Sequence, residues 1–252
     1  MISIITVCLN SSKTIRYTME SIVNQNTNDY EHIVIDGGSQ DDTLSIISEY
    51  SRQNLRVISE KDNGIYDAIN KGIALAKGDI IAILNSDDFY IDNNVLSDVT
   101  SNFSSNPNIS CLISEVVFYR GPNLNKIVRF YGIKLFKPSL LRIGLMPPHP
   151  GSFFKKEIYT KYGLYNPSFK ICGDFDFFVR VFLTHQNPFI KLRRVTVKMK
   201  QGGVSSSGLK SFVLITKEFN KSLKLNGYFS SLFLLLLRLP FKVFQKNYFS
   251  KT

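Results

Sequence analysis

The feature that most limits the folds open to this chain is a rhythm in its first 84 residues: an apolar run of strand length, a polar turn, then a stretch with helical spacing, three times over. Ile2 to Leu9 reads as a buried strand, and Lys13 to Asn24 puts Ile15, Met19, Ile22 and Val23 on one helical face. HIVIDGGS is a second strand running into a Gly-rich turn. Asp41-Asp42-Thr43 can cap the next helix, through Tyr50, and LRVISE is a third strand. A helix from Ile65 to Ala76 closes at Lys77-Gly78, with Gly78 expected as a left-handed C-cap, and Asp79 to Leu84 forms strand four. Strands alternating with helices predict an α/β fold with a mainly parallel sheet, which binds ligands at the carboxyl ends of its strands.

Strand four ends in an unusual way. The stretch AILNSDDF carries apolar residues straight into Asn85, Ser86 and two adjacent carboxylates, Asp87 and Asp88. Each carboxylate raises the cost of ionising the other, so either something cationic sits there or both face water. Asp36 ends strand two and so falls on the same edge of the sheet as Asp87.

Charge divides the chain. Met1 to Asn125 holds 8 Lys and Arg against 16 Asp and Glu, net −8, whereas the remainder holds 23 against 4, net +19. A basic half suits nucleic acid, anionic lipid or a phosphorylated substrate. Zinc-finger spacing, an RNP-like aromatic motif and a helix-turn-helix are all missing, which argues against nucleic acid. Cys8, Cys111 and Cys172 are too far apart for a metal-binding pair and, odd in number, read as buried thiols of a reducing compartment. The opening residues lack the basic start and apolar segment of a signal peptide.

Beyond Asp92 the pattern loosens. A helix is expected near Asn94 to Phe103, strands near Ser110 to Tyr119 and Lys126 to Tyr131, then a proline-rich loop, GLMPPHPGSFF. Lys155 to Tyr162 reads as helix, CGDFDFFVRVFLTH starts another, Lys191 to Lys200 returns to a strand, and helix-forming residues dominate from Ser205 onward.

Six blocks in this order, SIITVCLN, IVIDGGSQDDT, EKDNGIYDAINKG, AILNSDD, PHPGSFF and GDFDFFVR, resemble the family-2 glycosyltransferases with the GT-A fold, a Rossmann-like nucleotide-diphospho-sugar transferase fold. The resemblance runs through Ser205, so the chain divides into a catalytic domain over residues 1–205 and a basic, apolar C-terminal helical segment over 206–252. It implies inverting transfer of a sugar from a nucleotide diphosphate donor, a UDP-sugar first, to a hydroxyl, aided by Mg²⁺ or Mn²⁺. The chemistry is consistent: a cation bridging the phosphates offsets the charge that grows on the leaving group, and oxygen ligands of the NSDD type suit such an ion.

The resemblance also distributes roles. The family's DxD falls on Asn85-Ser86-Asp87, so Asp87 is expected to hold the metal, Asn85 to lie at the donor, and Asp88 either to act through water or to cap the next turn. Asp36 matches the aspartate that reads the nucleotide base, while Asp62 and Asn63 match the stretch that closes over the donor, and Thr6 is a further donor-site candidate. Many relatives carry arginine where Ile69 stands, so the positive group opposite the pyrophosphate is not evident on this side. Asp174 matches the aspartate of the family's Glu-Asp motif, with Gly173 in place of the glutamate, and is expected as general base. Asp176 competes with it, or is a first-turn helix carboxylate. His149 borders the acceptor or bonds within its loop, and Arg180 reads as a packing or carboxylate partner. The GGVS loop, Gly202 to Ser205, could close over the diphosphate.

FSSLFLLLLRLPFKVF is too short to cross a bilayer, yet apolar residues among Lys and Arg suit a segment in the membrane interface; packing on the catalytic domain is the alternative. The reading is an inverting glycosyltransferase of surface-polysaccharide assembly, acting on a glycan or lipid-linked oligosaccharide, cytoplasmic and peripheral on the inner membrane face. Two rivals stand beside it. A nucleotidyltransferase would use the same sheet but commonly carries a Gly-rich phosphate loop that SIITVCLNSSKT lacks, and a non-catalytic nucleotide-sugar-binding protein would accommodate Asn85 and Gly173.

Overall fold

The computed structural model describes residues 1–121, 126–202 and 208–239. Strand β1 (Ile2–Cys8) is buried at every position, as its continuous apolar run requires, and helix α1 (Ile15–Val23) covers it through Ile15, Met19 and Ile22. Then follow β2 (Tyr30–Asp36), α2 (Thr43–Ser48), β3 (Leu55–Ser59), α3 (Ile65–Leu75) and β4 (Ile80–Ile83). Strands β3-β2-β1-β4 are parallel neighbours, with Cys8 level with Asp36 and Asp36 level with Ser59, so their carboxyl ends share one edge.

Past β4 the sheet turns mixed. The chain adds β5 (Phe89–Tyr90), α4 (Val95–Ser105), β6 (Cys111–Tyr119), β7 (Ile127–Tyr131), a 3₁₀ turn at Pro138–Ile143, β8 (Ser152–Lys155), α5 (Glu157–Tyr162) and α6 (Gly173–Phe178), which runs on as a π-helical turn, Val179–Thr184. Last come β9 (Phe189–Lys200), α7 (Leu209–Leu225) and α8 (Leu232–Leu236). The full order is β3-β2-β1-β4-β8-β6-β9-β5, with β7 on β6; β8 runs antiparallel to both β4 and β6.

Two local expectations change. SFF belongs to β8, not to a loop, and Lys155 ends that strand, so the helix expected from Lys155 begins at Glu157. Gly78 is no left-handed cap: α3 ends in the extended Ala76, and a Cβ on Gly78 would fall 2.7 Å from the Ser3 N and 2.8 Å from the Met1 O, so close backbone approach is what excludes a side chain there.

The expected boundary at 205 lies outside the described residues, as do Gly203 to Ser205 of the GGVS loop and residues 240–252 of the tail. Beyond it, α7 packs on α6: Phe219 stacks on Phe175 with centroids 3.8 Å apart, and Phe219, Leu223 and Leu235 join the same core as Phe154, Phe177 and Phe178. No described helix is long and apolar enough to cross a membrane. All three cysteines are buried free thiols.

Candidate active site

The loops leaving the shared edge are tied to each other. Asn10, in a left-handed conformation (φ 49°), turns its N–H to Ser39 Oγ at 2.8 Å and accepts from the Gln40 N–H at 2.9 Å. The Ser11 N–H donates to Thr43 Oγ1 at 2.7 Å, and the Ser11 and Ser86 hydroxyls share a 2.8 Å bond, so the turn after β4 is held to the turn after β1. Asp41, not Asp42, takes the Thr43 N–H at the start of α2.

Asp36 is fully buried and saturated. Its Oδ2 accepts from Ser59 Oγ (2.7 Å) and from the N–H groups of Ser39 (3.0 Å) and Gly38 (3.2 Å), and its Oδ1 from Ser39 Oγ (2.5 Å) and Cys8 Sγ (3.5 Å). Burial works to raise its pKa, but the donors from Ser39 and Ser59 outweigh it and hold the carboxyl below the ordinary range. A base could meet this carboxylate only by displacing one of those hydroxyls. Thr6 does not reach the edge at all: β1 runs on to Cys8, and the Thr6 hydroxyl is buried against His32 Nε2 at 2.9 Å. Asp62 does reach it. Its Oδ1 accepts the Gly64 N–H at 2.9 Å while its Oδ2 occupies the space beside Gly37, where a Cβ would come within 2.6 Å. Asn63 is exposed and donates its N–H to Asp67 Oδ2 at 2.9 Å.

At the end of β4, Asn85 to Asp88 form a turn closed by the Asp88 N–H on the Asn85 carbonyl at 3.1 Å. The two carboxylates part company here. Asp88 is 1% exposed, with Asn85 Nδ2 3.4 Å away; burial, and then the charge of Asp87, push its pKa well up. A side chain so enclosed could act at the site only through a buried water. Asp87 is half-buried; burial raises its pKa and the field of Lys200 lowers it. β5 pairs antiparallel with β9, Phe89 level with Lys198, and Lys200 ends β9 two residues further on. Lys200, the exposed last residue of β9, is the cation whose field reaches the acidic turn.

Among the described residues, no group of three or more His, Cys, Asp or Glu could hold a metal. Asn85 Oδ1, however, is buried with no hydrogen-bond partner, next to the half-open carboxylate of Asp87. This hard-oxygen set fits a divalent cation that takes its other ligands from phosphate and water.

The second acidic pair lies at the start of α6. Asp174 is half-buried, its Oδ1 accepting from the Phe175 N–H at 2.8 Å and lying 3.4 Å from the Tyr66 hydroxyl. Burial lifts its pKa to about 6, against the lowering pull of those two donors. Asp176 faces the other way: Oδ2 accepts from Arg180 Nε at 3.0 Å, and Oδ1 from Ser222 Oγ at 3.0 Å and Asn226 Nδ2 at 3.2 Å. It is 3% exposed and fastens α6 to α7, so it is no competitor for a place in the cleft. Arg180 is its carboxylate partner and also donates to the carbonyls of Tyr162, Gly163 and Leu164. His149 Nε2 bonds the Tyr165 hydroxyl at 2.8 Å, and burial lowers its pKa to about 4.

Sequence reasoning missed Tyr66 and Glu218. Tyr66 stands in the first turn of α3, three residues after Asn63, so a single helix start carries Asp62, Asn63 and the hydroxyl beside Asp174. Its ring fills the place of a side chain at 173, where a Cβ would lie 2.8 Å from it; Gly173 is the residue that fits. Glu218, on α7, accepts three backbone N–H groups from the loop before α6. The signal was in the sequence: Glu218 is the single acid among 8 basic residues from Ser207 to Thr252.

A parallel α/β half whose strand ends carry an acidic turn, followed by a mixed half that extends the same sheet, is the architecture of a GT-A glycosyltransferase. The sequence model of glycosyl transferase family 2 matches residues 3–163, and the chain belongs to that family. A PGL/p-HBAD biosynthesis glycosyltransferase of Mycobacterium tuberculosis is 29% identical over 234 residues, covering 90% of this chain and 85% of that protein. Among solved structures, residues 1–349 of Staphylococcus aureus TarS in complex with UDP-GlcNAc superpose with a TM-score of 0.69 at 18% identity, over 88% of this chain and 66% of that one. The mannosyltransferase PcManGT of Pyrobaculum calidifontis, in complex with GDP-Man and Mn²⁺, gives 0.65 at 14% identity, over 98% and 72%.

Proposed function

We propose that this glycosyltransferase moves a sugar, with inversion, from a nucleotide diphosphate donor of the UDP-sugar type to a hydroxyl of a glycan or lipid-linked oligosaccharide. The observation that carries this reading is Asp174: a carboxyl with a pKa of about 6, half-open, beside the helix start that also carries Asp62 and Asn63. Such a group is ionised at neutral pH yet more basic than an ordinary carboxylate, as a general base requires. The acceptor oxygen attacks the anomeric carbon opposite the leaving diphosphate, and Asp174 takes its proton. Phe175 N–H and Tyr66 hold the Oδ1 of that carboxylate, leaving Oδ2 for the acceptor.

Asp87, with Asn85 Oδ1, would hold Mg²⁺ or Mn²⁺, and that ion supplies charge stabilisation to the departing diphosphate when bound. Support for a divalent ion comes from the Mn²⁺ in the PcManGT complex. Lys200 gives a second positive charge at this turn and answers the lack of one at Ile69. Asp62 and Asn63 line the donor, and Asp36 shapes the loop beneath the base, meeting the base N–H only in exchange for a serine hydroxyl.

A membrane-bound acceptor is part of the proposal. Leu225, Phe229, Leu232 and Phe233 are 51 to 75% exposed at the end of α7, in the turn after it and on α8, and exposed Lys224 adjoins Leu225 in the chain. Apolar side chains beside cations suit an anionic lipid surface. Sedimentation with anionic vesicles, falling as salt rises, is the expected result; indifference to vesicles at low salt removes this part.

The test of the whole is a thermal-shift panel of UDP-, dTDP- and GDP-sugars with and without Mn²⁺, followed by product analysis of whichever donor stabilises the protein. Nucleoside diphosphate and free or transferred sugar are expected. Pyrophosphate would mark a nucleotidyltransferase, and binding without turnover a non-catalytic binding protein.

A further inference from the structure

The proposed base hangs from a loop gripped by the C-terminal helix. Lys170, Ile171 and Cys172, the three residues before α6, all turn their backbone N–H groups to one carboxylate: Lys170 N to Glu218 Oε1 at 2.8 Å, Ile171 N and Cys172 N to Glu218 Oε2 at 3.0 and 2.9 Å. Glu218 is 7% exposed, and α7 brings it there from 46 residues downstream. Successive amides converge on one anion only when the backbone curls round it. On the outer side of the same curl, the Ile171 carbonyl accepts the Tyr66 hydroxyl at 2.5 Å, and that hydroxyl lies 3.4 Å from Asp174 Oδ1. The loop is therefore held by N–H groups on Glu218 and by a carbonyl on Tyr66, and Asp174 follows two residues later.

We propose that Glu218 is a positioning residue for the general base: by binding the amides of residues 170–172 it sets the direction in which α6 presents the Asp174 carboxylate to the acceptor hydroxyl. This deepens the proposed function and rests on Asp174 being the base. A glutamine in this place would turn an NH₂ toward at least one of the three donors, so a neutral isostere cannot reproduce the grip. Around Asp174, Tyr66 from α3, Tyr131 from β7, Tyr165 and Cys172 are phenols and a thiol whose own pKa values burial raises; the charge of Glu218 reaches Asp174 and pushes its pKa further up.

The experiment compares full-length wild type, Glu218→Gln and Ser222→Ala. Ser222 is one turn further along α7 and bonds Asp176, so its loss loosens the helix without touching the grip. Three readouts are taken: donor turnover, exchange of the amides of residues 170–172, and the NMR titration of the Asp174 side-chain carboxyl, which needs no donor. For Glu218→Gln the expectation is a kcat lower by about 10- to 100-fold with the donor KM within about twofold, faster exchange of the three amides, and an Asp174 titration moved to lower pH. An unmoved titration with slow amide exchange, or the same changes in Ser222→Ala, overturns the proposal. If Glu218→Gln fails to fold, Glu218→Asp keeps the charge but withdraws it by one methylene; kcat should then fall with the titration unmoved, and unchanged kcat and exchange again overturn it. Asp174→Asn, run alongside, separates the two readings: retained turnover there removes the base assignment, whereas the NMR readouts still decide whether Glu218 governs the loop.

Discussion

The two acidic pairs, Asp87-Asp88 and Asp174/Asp176, each leave one carboxylate half-buried and enclose the other, but they enclose it differently. Asp176 goes under with Arg180, Ser222 and Asn226 around it, so its burial fastens two helices together. Asp88 goes under with the Asn85 amide at 3.4 Å, a backbone N–H of Lys200 and a like charge next door, and burial and that charge raise its pKa well above the ordinary value. The pair with an ion-paired member belongs to the scaffold, and Asp174 keeps only Phe175 N–H and Tyr66 on its Oδ1; Asp88 has hydrogen bonds but no ion pair, and the field of Lys200 offsets the charge of Asp87 only in part. A region that folds with unmet electrostatic demand is where a cationic ligand would have most to contribute.

The contrast can be broken most severely at its open members. Asp174→Asn should cut transfer by about 10²- to 10⁴-fold with donor binding retained; unchanged turnover, or a dead Asp176→Asn with an intact fold, would reverse the two roles. Asp87→Asn should cost about 10²- to 10³-fold, as removal of one electrostatic stabiliser does, and should abolish the response to Mn²⁺ without lowering Tm. Wild-type Mn²⁺ dependence in that variant would move the metal away from the acidic turn.

The buried members should differ in stability instead. Asp176→Ala strands Arg180 and two further donors, and the loss should be about 3 kcal/mol, at the low end for a broken buried pair because Arg180 keeps its carbonyl acceptors. Urea unfolding measures it directly. Asp88→Asn removes no cationic partner and should cost far less, so equal losses for the two variants would mean that partnering does not distinguish them.

Much of this was legible in the chain. Strands β1 and β4 announced themselves because each is buried at every position and so reads as a mainly apolar run, β2 nearly so, whereas β3 is an exposed edge strand found from its turns; Asp36 and Asp87 fell after β2 and β4 on periodicity alone. β8 was hidden: its four residues follow three prolines and a glycine, and only β4 and β6, far away in sequence, make it a strand. Thr6 was proposed for the donor site by the resemblance, although a strand read to Leu9 already put it inside the sheet. That Asp88 and Asp176 are buried could not be seen, since burial of a polar side chain depends on what packs over it. Glu218 was visible as a lone acid in a basic segment, but its three partners lie 46 to 48 residues back, and backbone amides leave no mark in a sequence.

The smallest effect expected is also the one whose sign is least intuitive: Asp174→Asn should stabilise the protein. The Asp174 carboxyl has a folded pKa of about 6, raised by burial above its value in the unfolded chain. Folding therefore favours the protonated form, so its contribution is fully present below about pH 4 and is lost as pH rises from there through about 6. Asparagine stands in for the protonated acid at every pH and keeps an oxygen to accept from Phe175 N–H and Tyr66. The gain should be absent below about pH 4, grow between about pH 4 and 6, and stay level above that. The whole pKa difference corresponds to about 3 kcal/mol, but the half-exposed carboxyl is partly screened by water, which leaves about 1 kcal/mol and a Tm increase of about 2–4 °C at pH 8. Thermal denaturation of the two proteins at pH 4 and pH 8 checks this. A pH-independent gain would mean that the substitution merely packs better, and a loss at pH 8 would mean that Asp174 is held ionised by a cation, which would place it in the scaffold beside Asp176.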